Sequence, residues 1–135
     1  MGLEAVIRAL VSAAGGMTGI TRAYDDPPES ISEFPAVVVY AHRGQLSVPS
    51  SGTGKGLHTV VVEVHHSRQV LPQAINEAKV WPGRFLSALH DDLTLGGTVS
   101  GIVWPVVYRA TPIRYATEVH YGVRFEVTVK TMEAL

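Results

Sequence analysis

Val119 to Thr131, VHYGVRFEVTVKT, constrains the fold of this chain more than any other stretch. Val119, Tyr121, Val123, Phe125, Val127 and Val129 share one parity, and His120, Gly122, Arg124, Glu126, Thr128 and Lys130 share the other. Side chains on a strand alternate faces with period 2, so this pattern predicts one long strand with a single apolar face. At about 3.3 Å per residue the run extends about 43 Å. A compact domain of this length has a diameter of about 37 Å. The strand must therefore cross the whole domain, bend, or project toward something else.

The remaining pattern builds a sheet and helices around that strand. Leu3, Val6, Ile7, Leu10, Val11 and Ala14 recur at helical spacing and are stopped by Gly15-Gly16, which predicts an amphipathic helix. Thr18 to Tyr24 reads as a short strand, and Pro27-Pro28 make Asp25 to Phe34 a surface connection. The β-branched run within Ala36–Ala41 suits a strand covered on both faces. Ser47 to Gly56, SVPSSGTGKG, reads as a flexible hairpin tip leading into a strand over Leu57 to Ser67.

Leu71, Ala74, Ile75, Ala78, Trp81, Phe85 and Leu89 form a second helical stripe. Pro82 removes a backbone donor within it and predicts a kink or two short helices. Leu93 to Gly97 is a turn, Val99 to Tyr108 a strand with an edge or bulge at Pro105, and Thr111 to Thr117 a connection. The order predicts an α+β fold: an antiparallel sheet of four to five strands, with an N-terminal helix and a kinked second helix packed on one face.

The 135 residues fit a single domain spanning 1–135, with no repeat or linker. Apolar residues at 46% and charged residues at 17% are those of an ordinary globular chain, and the net charge of −1 provides no basic field for nucleic acid. Zero cysteines exclude disulfides and thiolate chemistry. No run approaches the roughly 20 apolar residues of a membrane span, and no basic region precedes the first apolar stretch, so a cytoplasmic site of synthesis is expected. Val6 stands where a myristoylation signal after Met1-Gly2 needs Ser or Thr.

Motifs that carry chemistry are incomplete. SGTGKG places Pro49 and Gly56 where a phosphate-binding loop needs Gly and Ser or Thr, and it precedes a strand instead of a helix. His65 and His66 are adjacent and point to opposite faces of a strand, while His58 and His66 share a face but lie about 26 Å apart. A histidine site needs His42, His90 or His120 brought in by the fold, together with carboxylates, and polar-face histidines are the plainer reading. Asp25-Asp26 and Asp91-Asp92 read as solvated turn residues, and no serine occupies a nucleophile elbow. Trp81 and Trp104 both read as core residues. No catalytic, cofactor-binding or metal-binding residue is assigned, and the expectation is a protein that is not an enzyme.

Taken together, ITRAYDDPPESISEFPAVVVY, GLHTVVVEVHHSRQVLPQAINEA, LTLGGTVSGIVWPVVYRATPIRY and the final VHYGVRFEVTVKT span nearly the whole chain. This combination resembles the tail terminator, or tail completion, proteins of long-tailed bacteriophages and prophages. The resemblance implies a structural virion protein of the tail or neck, assembled in the host cytoplasm as a hexameric ring. Such a ring caps the tail tube, ends its growth and presents a surface to a head-side connector or stopper protein. DNA passes through it without specific recognition, and no cofactor or membrane is involved. A head–tail joining subunit, or a small metal- or ligand-binding enzyme, are the alternative readings. The family provides no motif for individual contacts. The flexible tip (Gly52, Thr53, Gly54, Lys55) and the charged face of the last strand (Arg124, Glu126, Lys130) are the candidate subunit or tube interface.

Overall fold

The computed structural model describes residues 2–134, so Met1 and Leu135, the ends of the expected domain, lie outside the described residues. Three helices and five strands follow in the order α1 (Leu3–Gly15), β1 (Arg22–Tyr24), β2 (Ala36–Ser50), β3 (Thr53–His66), α2 (Leu71–Ala78), α3 (Trp81–His90), β4 (Gly101–Tyr115) and β5 (Glu118–Ala134). The strands form one sheet in the order β1-β2-β3-β5-β4. The class is α+β, as expected. The sheet is mixed, however, because β1 pairs parallel with β2 while every other pair is antiparallel.

Alternation along β5 produces the main core. Val123, Phe125, Val127 and Val129 point to one face with Val60, Val62 and Val64 of β3 and Val37 and Val39 of β2. Val6, Leu10, Val11 and Ala14 of α1 and Trp81, Phe85 and Leu89 of α3 close over that face. Phe85 and Phe125 stack at a centroid distance of 4.3 Å in its centre. Burial of each such side chain contributes about 1.5–3 kcal/mol, which makes this face the main source of stability. Pro82 lies in the first turn of α3, where its missing N–H would have had no helical partner. The expected kinked helix is therefore two short helices joined at Lys79-Val80.

The opposite face is covered at one end only. Residues 25–34 fold back so that Ile31 is buried against Ala36 and Val38, with Tyr24, Phe34, Tyr40 and Tyr115 around them. Thr21 begins this crossing: its Oγ donates to the Phe34 carbonyl at 2.9 Å and its backbone N–H donates to that of Pro35, also at 2.9 Å. The Thr18–Tyr24 strand is correspondingly reduced to Arg22–Tyr24, because Gly19 turns the chain at φ +97° first.

Three further expectations are corrected. Ser47 to Gly56 is not a loose loop. β2 runs to Ser50, β3 starts at Thr53, and only Ser51-Gly52 turn between them, with Gly52 at φ +83°. Pairing on to β5, Gly54 to Glu133 and Gly56 to Thr131, holds a segment whose composition favours disorder. Thr111 to Thr117 is not a connection either, since β4 continues to Tyr115 and turns at Ala116-Thr117. Trp104 is not a core residue. It is 46% exposed, lifted out where the register with β5 shifts between Val103 and Val107 around Pro105.

Candidate functional site

β5 is 17 residues long, about 56 Å at strand rise, so it outruns the part of the sheet that the helices cover. The distal parts of β2, β3 and β5 form an arm. Every residue of β2 from Ala41 to Ser50 is exposed, whereas Ala36 to Val39 are buried. β1 covers Ala36 to Val38, so among the described residues the rest of β2 is a free sheet edge with unpaired backbone donors and acceptors. Leu46 and Val48 lie on this arm 78% and 66% exposed, and Met132 of β5, in register with Lys55, is exposed on the face opposite Leu46. Gly56 allows the arm its tight packing: a Cβ there would meet the His58 ring and the Thr131 hydroxyl.

The other sheet edge, β4, carries a second apolar patch. Trp104, Val107 and Tyr108 are exposed on it, and Leu86 of α3 is exposed nearby. A groove of about 420 Å³ runs between α3 and β4, bounded by Pro82, Leu86, Trp104 and Tyr108 and floored by Phe125. Arm and groove thus present different apolar surfaces at opposite edges of one sheet.

Of the seven interface candidates, five belong to the arm. Gly52 is the exposed turn, Thr53 and Gly54 open β3 half-buried and buried, and Lys55 and Lys130 are exposed on β3 and β5. Arg124 and Glu126 lie nearer the middle of β5 and engage each other, with Nη1 3.3 Å from Oε2. Arg124 Nε also lies 3.7 Å from Oε2 of buried Glu63. These two residues are therefore spoken for within the chain.

The other end of β3, away from the arm, contains a polar cluster that composition alone did not indicate. Glu63, His65, His66 and His120 are buried at 4%, 0%, 3% and 3% exposure. On the helix-covered face, Trp81 Nε1–H donates to His66 Nε2 at 2.7 Å, and Glu77 Oε2 lies 3.4 Å from His66 Nδ1. Burial holds the His66 imidazolium below the ordinary histidine range, with Glu77 partly opposing that shift.

On the other face, Tyr40 O–H donates to Glu63 Oε2 at 2.7 Å, and burial followed by the Glu63 hydrogen bond pushes the Tyr40 phenol up. Glu63 Oε1 is 2.9 Å from His65 Nε2, the two Nδ1 atoms of His65 and His120 are 3.0 Å apart, and His120 Nε2 is 3.0 Å from Glu118 Oε2. Phe34 sets its edge against His120, and Tyr115 stacks on His120 while its hydroxyl donates to the Pro28 carbonyl. Register explains the meeting of the histidines. His65 sits opposite Gly122, which has no side chain, so His120, two positions along the same face, reaches across.

His65 and His66 do point to opposite faces, and His120 with two carboxylates is what the fold brings to His65. Among the described residues no three or more His, Asp or Glu side chains converge as a metal-binding group. The glycines and Lys55 of SGTGKG stand in paired strand and turn, not at a helix start. Asp92 Oδ1 accepts the Gly96 N–H at 2.9 Å and so serves the turn after α3. No helix of the described chain is long and apolar enough to cross a membrane. Searches against family models and against curated proteins find no match to this chain.

Proposed function

We propose that this chain is a ring-forming structural subunit of a long-tailed phage, acting as the tail terminator. The observation that carries the reading is the pairing of an uncovered sheet arm at one edge with an apolar groove at the other. A patch that met its own copy would build a two-fold dimer. Two unlike patches on opposite edges suit a heterologous contact, in which the arm of one subunit lies on the groove of the next, and such contacts build a ring where the rotation between subunits closes. The resemblance of the chain to tail terminators assigns the ring its task, capping the tube and meeting the head-side connector, and its hexameric number.

The role is structural, not enzymatic. In the His65–His120 cluster both imidazoles are buried, and the Glu118 carboxylate is the part that reaches solvent, which suits a structural tie better than a substrate site. The arm also carries Lys55 and Lys130, which suit the tube or a neighbouring subunit as partners.

Leu46→Asp combined with Val48→Asp tests the reading. Both side chains are exposed, so the subunit is expected to keep its circular dichroism and melting temperature while ring formation is lost. Gold labelling of the wild-type chain on purified tails then separates the two virion roles. Label at the head-proximal end of free tails supports a terminator, and label confined to heads supports a neck subunit. Rings that survive the double substitution overturn the proposed contact.

A further inference from the structure

Glu63, His65, His120 and Glu118 form a linear chain with three successive heavy-atom distances of 2.9, 3.0 and 3.0 Å. Three hydrogen bonds need three protons. Two neutral imidazoles bring two, and two carboxylates bring none, because an ionised carboxylate only accepts. The chain as built is therefore one proton short. If both Nε2–H groups donate outward to the carboxylates, the two Nδ1 lone pairs face each other at 3.0 Å. If one Nδ1–H donates to the other Nδ1, one Nε2 lone pair faces a carboxylate oxygen. Either arrangement sets two acceptors against each other at buried imidazole nitrogens, which is unfavourable for groups withdrawn from water.

We propose that the His65–His120 pair holds one additional proton, shared between its Nδ1 atoms, and that this proton is the clasp that keeps residues 25–34 closed over the second face of the sheet. The extra charge is placed where it is best matched, between the Glu63 and Glu118 carboxylates. The surrounding groups are Tyr24 from β1, Tyr40 from β2, Tyr115 from β4, and Arg124 from β5, which lies by Glu63 on the side away from His65. The cover reaches the pair through the Phe34 ring, 5.0 Å from the His120 centroid, and through the Tyr115 hydroxyl that holds the Pro28 carbonyl. From the cover itself, Phe34 meets the pair and carries no charge. Loss of the proton on raising the pH turns the Nδ1 atoms against each other, separates the rings and withdraws the surface on which Phe34 and Tyr115 rest. The clasp is independent of the ring-forming reading.

Two measurements on the full chain test this. Long-range proton–nitrogen correlation spectra of the imidazoles count ring protons directly. Three are expected on the pair, with one proton correlated to both Nδ1 atoms. Two protons, with residues 25–34 still protected from exchange, overturn the proposal. The second measurement is amide exchange protection of residues 25–34, corrected for intrinsic exchange, as the pH is raised. A proton kept in the closed state and released on opening lowers protection by up to about tenfold per pH unit above the ordinary histidine value of about 6.5, for as long as the closed pair keeps it.

Glu118→Gln sharpens the test, because Glu118 is exposed and its amide replacement can donate to His120 Nε2. The network then closes with two ring protons. The variant is expected to lose the shared proton and the pH dependence of the cover together. A pH dependence unchanged by Glu118→Gln overturns the clasp. So does stabilisation by stoichiometric zinc that a chelator reverses, since an ion would then stand where the proton is placed.

Discussion

Trp81 Nε1–H donates to His66 Nε2 across 2.7 Å, tying the first turn of α3 to the last residue of β3. The bond requires an unprotonated Nε2, and burial favours that neutral form by holding the His66 pKa below its ordinary value. A group whose folded pKa is depressed contributes stability that is present above its unfolded pKa, about 6.5 for histidine. That contribution is lost as the pH falls below 6.5 toward the lower folded value. Chemical denaturation from pH 8 down to pH 5 is expected to show declining stability, and His66→Gln, which keeps an acceptor for Trp81, is expected to flatten the decline. An unaltered slope in His66→Gln would assign the acid loss to other groups.

Removing the acceptor altogether has a different signature. His66→Ala leaves the Trp81 N–H buried without a partner and is expected to cost about 1–3 kcal/mol at pH 8, where the wild-type histidine is neutral. Urea denaturation of the two variants side by side separates the hydrogen bond from the titration.

The glycines of the long strands are not equivalent. A Cβ at Gly122 would run into the Val64 carbonyl, a backbone atom that cannot turn aside. A Cβ at Gly56 would meet the His58 and Thr131 side chains. Gly122→Ala is expected to destabilise by about 1–3 kcal/mol or to prevent folding, and to separate His65 from His120 where it folds. Gly56→Ala is expected to be milder, because His58 can move. Thermal melts of both variants check the order.

Phe85 and Phe125 meet in the middle of the main core and are almost wholly buried. Phe125→Ala is expected to cost about 3–5 kcal/mol in urea denaturation, and Phe125→Leu distinctly less, because the leucine leaves a smaller cavity.

How much of this could be read beforehand depended on whether a residue's environment was local. Val119–Thr131 announced its strand because one face is apolar and the other polar, and the structure extends it only to Glu118 and Ala134. The Pro82 break and the helix stop at Gly15-Gly16, where Gly15 is the last helical residue and Gly16 the cap, followed from backbone chemistry alone. Ser47–Gly56 misled because Gly and Ser signal flexibility, while its strands are held by partners far away in the chain. Trp104 misled in the opposite sense, since an aromatic residue between Ile102 and Val106 reads as core until the bulge turns it outward.

The histidine cluster was half readable. Strand parity alone sends His65 and His66 to opposite faces. The meeting of His65 with His120 depends on the β3–β5 register, which no local pattern specifies. The pairing of two buried histidines with Glu63 and Glu118 would have been the signal, had the register been known.

The most direct measurement is the mass of the purified chain by light scattering, joined to negative-stain images of the same fractions with and without tail tubes. A ring is expected, with a mass several times the 14.5 kDa of one subunit, and with particles seated at tube ends. A species that stays at 14.5 kDa at every concentration, and leaves tube ends bare, would contradict the assembly role.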